Sequence, residues 1–132
     1  MSEVIEREEV RVMFLRTDDT QAGIDRAWRR LESLVALRGR RFYGAFHEQP
    51  PEYWVCAEMQ DGDDPESLGL ESGVLPGGKF LRARLRGEPP AVYGRIKPTF
   101  DALIKEAVPD ESRPGLEFYR RRDEIDCLLP IR

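Results

Sequence analysis

Glu117 is the residue in this sequence best placed to do chemistry, because it is a carboxylate set among Leu116, Phe118 and Tyr119. Burial among apolar neighbours disfavours the ionised form of a carboxyl group, and a cation brought alongside restores it. A residue so placed can serve as counter-charge for a cationic ligand. It can also serve as a proton donor or water-orienting base whose pKa is tuned upward. Tyr43, Tyr119 and one of Tyr53 or Trp54 supply the aromatic surface on which a planar cation would stack. The plainer reading of Glu117 is a strand glutamate paired on the surface with one of the many arginines. His47, beside the polar EQPPE turn, completes the candidate ligand-binding set, although nothing in the sequence pairs with it as a base and its plain reading is an exposed strand end.

Other chemistries lack their residues. One histidine and two distant cysteines, Cys56 and Cys127, make neither a zinc site nor a disulfide scaffold, so no metal or cofactor is expected. Both cysteines sit in apolar runs and read as small core residues. Leu75-Pro-Gly-Gly-Lys79 lacks the spacing and following helix of a phosphate loop and reads as a turn into a strand. The 132 residues carry a net charge of −4, which argues against nucleic acid as the partner. Neither a membrane-length apolar run nor a signal-peptide core is present, and a cytoplasmic protein is expected.

The positions of these residues follow from a repeated order of elements. Val10–Leu15 has the composition of a strand, and Thr17–Thr20 supplies N-cap residues. Ile24, Ala27, Trp28, Leu31, Leu34 and Val35 then keep helical spacing, with Gly39 as the stop and Trp28 on the core stripe. RFYGAFH (41–47) and YWVCAEM (53–59) read as strands. The acidic, glycine-rich stretch 61–74 reads as a linker. A strand at 79–85, a short turn from Pro90 with a helix from near Pro98, and strands at 116–120 and 125–131 repeat the pattern. The sequence thus predicts an α+β domain over 1–132 built from two βαββ units, about 8–60 and about 75–132. Its sheet is mainly antiparallel, with both helices on one face; the other face must be solvated or folded over something, and a ligand cleft is expected there.

Strand alternation assigns the faces. Taking Leu116 and Phe118 as core puts Glu117 and Tyr119 opposite; taking Phe42, Gly44 and Phe46 as core puts Tyr43, Ala45 and His47 opposite. Aligning Phe42-Tyr43 with Phe118-Tyr119, and Cys56 with Cys127, then places Tyr43 and Tyr119 at matched positions on the helix-free face. For Tyr53 and Trp54 the alternation leaves the choice open.

The stretches FYGAFH, EYWVCAEM, LPGGKF, IKPTFDALIKE and RPGLEFYRRRDEIDCLLPI, in that order, resemble the GyrI-like (gyrase-inhibitor-like) small-molecule-binding family, which also supplies effector domains of multidrug-sensing regulators. The resemblance implies a duplicated βαββ fold with a cleft between the halves. It matches Glu117 in LEFY to the family's acid, which meets the charge of lipophilic cations between aromatic rings. Some stand-alone relatives hydrolyse cyclopropane-bearing DNA-alkylating natural products with the same acid. Two departures stand out: no helix-turn-helix segment flanks the domain, and Cys56 replaces a frequent glycine. Three functions follow as expectations. The first is a stand-alone binder of planar, lipophilic, often cationic compounds. The second is a hydrolase of strained-ring compounds using Glu117. The third is a modulator of gyrase or another protein, or a partner of a regulator, favoured by the acidic 60–73 stretch.

Overall fold

The computed structural model describes residues 2–48 and 50–132. Eight strands form one antiparallel sheet: β1 (Ser2–Arg7), β2 (Val10–Thr17), β3 (Phe42–Glu48), β4 (Pro51–Glu58), β5 (Glu71–Leu75), β6 (Gly78–Arg86), β7 (Gly115–Arg121) and β8 (Glu124–Pro130). Two helices, α1 (Gln21–Leu34) and α2 (Ile96–Glu106), follow β2 and β6. The spatial order is β1-β6-β8-β7-β3-β4-β2-β5. Exchanging each strand of the first half for its counterpart in the second (β1 for β5, β2 for β6, β3 for β7, β4 for β8) reverses this order onto itself. The α+β architecture and the repeated order of elements are those the sequence predicts.

Local chemistry accounts for the helices. Thr20 caps α1, its hydroxyl accepting from the Gly23 amide at 3.2 Å. Ala27, Leu31 and Val35 are buried against Met13, Val55 and Ala57. The chain turns extended at Val35, so the helix stops before Gly39, which lies in the following turn at φ +71°. A short 3-10 turn at Ala91–Arg95 leads into α2, and Pro98 falls in the first turn of that helix, where its missing amide costs nothing. Phe100 and Leu103 bury against Leu81, Leu85, Ile125 and Leu129. Each such fully buried side chain is worth roughly 1.5–3 kcal/mol over leaving it exposed.

Two strands depart from expectation. The acidic N-terminal segment is an edge strand, β1, paired with β6 across the halves. The stretch 61–74 read as a linker contains a 3-10 turn at Glu66–Leu68 and most of the other edge strand, β5, paired with β2. Edge strands are solvated on several sides, so their sequences carry charge and glycine rather than an apolar run.

The two helices contact β2 and β4 on one side and β6 and β8 on the other, which leaves the central pair β3–β7 between them. The helix-free face is buried as well. Ile5, Val12, Phe14, Tyr43, Cys56, Leu75, Phe80, Phe118 and Leu128 join one cluster drawn from all eight strands. Among the described residues no helix packs on this face, yet Val12, Tyr43, Cys56, Phe80 and Leu128 are fully buried on it, so the twisted sheet itself must curl to cover them.

That curvature decides the faces. Tyr43 pairs with Phe118, and Gly44 with Glu117. Leu116 and Phe118 face the curled side, so Glu117 and Tyr119 face the helices, contrary to the sequence assignment. Glu117, the candidate site residue, thus lies between the helices rather than on the opposite face. The alignment of Phe42-Tyr43 with Phe118-Tyr119 is therefore one residue out of register, a slip that moves every side chain to the other face. Cys56 and Cys127 likewise fall on opposite faces.

Candidate functional site

Glu117 sits at the middle of β7 in the trough between α1 and α2, 7% exposed. Across the sheet its neighbours on the same face are Cys127 of β8 and Gly44 of β3. Tyr53 of β4 and Tyr119 of β7 each donate a hydroxyl hydrogen bond to Oε1, both at 2.6 Å. None of the side-chain hydrogen bonds among the described residues reaches Oε2 from a cation. Burial raises the Glu117 pKa from its ordinary value; the hydrogen bonds from Tyr119 and Tyr53 work against that rise, and the Asp19 charge adds slightly to it. The two phenols are pushed well above theirs, by burial first and then by the carboxylate.

The contrast with the other buried carboxylates is informative. Asp126 takes a bidentate pair of bonds from Arg84 at 2.7 and 3.1 Å, and Glu124 pairs with Arg86 at 2.8 Å. Among the three buried acids of the described residues, Glu117 alone is held by neutral donors. It has no structural counter-charge.

The trough beside it is aromatic. Trp28 of α1 meets Tyr119 edge-on at 5.2 Å, and Tyr93, 46% exposed, meets the same ring at 6.4 Å. Trp28 is thus only half-buried, and it borders the site rather than lying wholly within the core. Gly44 makes the arrangement possible. A Cβ on it would lie 1.8 Å from the Tyr53 hydroxyl and 2.7 Å from Glu117 Oε1. The sequence signal for this residue is a glycine inside a strand, which marks a close approach; the sequence reading passed over it.

Of the six residues the sequence singles out, three come together: Glu117, Tyr119 and Tyr53. The other three lie on the curled face, away from the carboxylate. Tyr43 is fully buried there, stacked on Phe118 at 4.9 Å and accepting a hydrogen bond from Arg7 at 2.6 Å. Trp54 stacks on Phe14 at 3.8 Å and donates to Glu52 at 2.7 Å. His47 lies against Trp54 at 4.4 Å, its pKa lowered mainly by burial. The open choice between Tyr53 and Trp54 therefore resolves to Tyr53.

The Gly44–Glu117 register fixes the central slot between the helices. No family model matches the sequence, and no curated protein matches it. Solved structures do. SAV2435 bound to tetraphenylphosphonium has a TM-score of 0.71 at 13% identity, covering 100% of this chain and 94% of that one. The EcmrR C-terminal domain follows at 0.68 and 12%, covering 100% and 97%. A hydrolase from Listeria innocua follows at 0.60 and 10%, covering 99% and 91%. This chain has the GyrI-like fold.

Within the GyrI-like fold both cysteines are free and buried. Cys127 lies beside Glu117, and burial with the nearby carboxylate pushes its thiol up to about 12; Cys56, fully buried, is raised well above its ordinary value. Native protein should resist iodoacetamide at pH 8, both thiols reacting only in denaturant, since the thiolate is the reactive form. Mass spectrometry of alkylated peptides checks this, and rapid native labelling of Cys127 would contradict it.

Among the described residues no three His, Cys, Asp or Glu side chains are grouped to hold a metal. No helix among them is long and apolar enough to cross a membrane.

Proposed function

We propose that this protein binds lipophilic cations with an aromatic body, using Glu117 as counter-charge in the trough between α1 and α2. One observation carries the reading: a buried carboxylate that, among the described residues, is held by two phenols and paired to no cationic side chain. Such a group is at a deficit that an organic cation makes good. Trp28, Tyr93 and Tyr119 supply faces for its rings. The tetraphenylphosphonium held by the structurally similar SAV2435 is a ligand of this class.

Titration with tetraphenylphosphonium and with neutral triphenylphosphine oxide, followed by tryptophan fluorescence, tests the reading. The cation should bind at least about ten-fold more tightly, an advantage of about 1.4 kcal/mol. Equal affinities would reject it. Removing either hydroxyl, in Tyr53→Phe or Tyr119→Phe, withdraws one donor from ionised Glu117. The pH midpoint for cation binding, which needs the carboxylate, should then move upward. An unchanged midpoint in both variants would detach the phenols from the site.

A second reading is hydrolysis of strained-ring compounds, with protonated Glu117 as acid. The raised pKa favours it, and a hydrolase shares the fold. A Glu117→Gln protein that binds such a compound but forms no product would support it. The acidic 60–73 stretch, the feature that favours a protein modulator, is in part the edge strand β5.

A further inference from the structure

We propose that the cleft between α2 and the adjoining ends of β3 and β7 is a second part of the ligand site, receiving the apolar body of a lipophilic cation whose charge reaches Glu117, and that Phe46 is the partition between the two. The inference rests on the cation-binding reading above and adds where the rest of the ligand lies.

The cleft has a volume of about 390 Å³ and apolar walls that include Phe46, Phe100, Ile104 and Leu129. Glu117 does not line it, yet the sheet register puts the two side by side. Phe46 pairs with Gly115, and Gly44 pairs with Glu117, so the cleft and the carboxylate are one same-face row apart. Two residues along a strand span roughly 7 Å. In each of the two rows one residue of the pair is a glycine: the Tyr53 hydroxyl that bonds Glu117 lies over Gly44, and the Phe46 ring, with Phe100 beside it, lies over Gly115. The Phe46 ring stands at the cleft end of this path. The ring comes within 3.2 Å of where a Gly115 Cβ would stand, and meets Phe100 edge-on at 5.6 Å. Phe46 is half-buried, with its outer side toward the cleft.

The rim selects charge. Glu48, Asp110 and Glu111 border the opening. The one arginine there, Arg113, pairs with Asp110 at 3.1 Å and donates to the carbonyls of Gly77, Lys79 and Ile131, so its charge offsets that of Asp110 and the net negative charge of the rim is that of Glu48 and Glu111. Asp110 is held down at about 2 by Ser112 and Arg113, so it stays ionised. Burial depresses the His47 pKa, so the imidazole adds little positive charge near neutrality. Apolar walls under an anionic rim suit an apolar cation better than a neutral or anionic molecule.

The test uses the full chain, tetraphenylphosphonium, and the neutral apolar fluorophore N-phenyl-1-naphthylamine. Ile104, 47% exposed at the lip, is replaced by tryptophan to fill the cleft. Ile104→Trp should weaken both probes about ten-fold, the loss expected when apolar burial is denied them. Phe46→Ala should speed association of the cation. Glu117→Gln should weaken the cation alone. If the tryptophan variant does not fold, Ile104→Arg at the same lip should repel the cation. A folded Ile104→Trp protein that binds both probes like the parent overturns the cleft, while Glu117→Gln still reports on the counter-charge. Loss of the neutral probe in Ile104→Trp with cation binding indifferent to both substitutions would separate the cleft from Glu117 and also overturn the inference. A parent protein that binds neither probe overturns it together with the reading beneath it.

Discussion

Glu117→Gln should give a protein that is more stable than the parent at pH 7.5 and about ten- to a hundred-fold poorer at binding cations, a loss of roughly 1.4–2.7 kcal/mol. The two effects have one cause. Burial raises the folded-state pKa of Glu117 above its unfolded value. Between those two values the folded protein binds more protons than the unfolded chain, so stability falls as pH rises through the folded pKa. Below the ordinary carboxylate range the group is protonated in both states and contributes no penalty. Glutamine keeps an oxygen to accept from Tyr53 and Tyr119 and cannot ionise, so the penalty disappears from the variant at every pH.

Melting temperatures of both proteins at pH 4 and 7.5 check the stability half. The curves should converge at the acid end and separate, with the variant higher, at the other. A ligand cation needs the ionised form, so the parent's cation affinity should rise with pH across the same interval while that of the variant stays flat. Neutral-ligand affinity should be alike in both. A variant less stable at pH 7.5, with the parent's pH dependence intact, would show that Glu117 is not the strained group this geometry describes.

Much of this site was legible in the residues and the rest was hidden for a physical reason. Glu117 stood out because a charged residue between Leu116, Phe118 and Tyr119 is dear to bury and so calls for an explanation. The element order was legible because α1 and α2 each bury one stripe at helical spacing. The face was not. Alternation separates two sets of side chains but names neither as the helix side, and in β7 each set holds an aromatic ring, Phe118 in one and Tyr119 in the other. Choosing the more apolar pair, Leu116 and Phe118, as the helix-facing set assumes that the other face is solvated. Here the sheet curls, and Phe118 is buried against Tyr43 on the helix-free side. Tyr43 and His47 do lie on the helix-free face, as assigned; they were joined to the site because Glu117 was placed on that face with them. β1 and β5 were missed because they pair across the halves, a contact that local sequence does not announce.

Gly44→Ala should cost about 1–3 kcal/mol, the usual range for overpacking a filled interior, and should uncouple Tyr53 from Glu117. The backbone at Gly44 is ordinary strand, since this glycine is not among those with positive φ. Its importance is therefore space alone. The added methyl group would meet the Tyr53 hydroxyl at 1.8 Å and its ring carbon Cζ at 2.7 Å, well inside contact distance. Tyr53 is 3% exposed and set among the side chains beneath α1, so the ring cannot swing clear without disturbing that cluster. Displacing it breaks one of the two hydrogen bonds to Glu117. A bond to a charged acceptor is worth about 1.5–3 kcal/mol, so the carboxylate should become harder to ionise and cation binding should weaken at neutral pH. Shortening the obstructing side chain separates the steric effect from a general intolerance of alanine. In the Tyr53→Leu background Gly44→Ala should cost much less than in the parent, a coupling visible in a double-mutant cycle of unfolding free energies. Equal costs in the two backgrounds would mean that the glycine is not the space through which Tyr53 reaches Glu117. A large coupling, together with an upward shift in the pH midpoint for cation binding in Gly44→Ala, makes a residue without a side chain responsible for where the charge of the site resides.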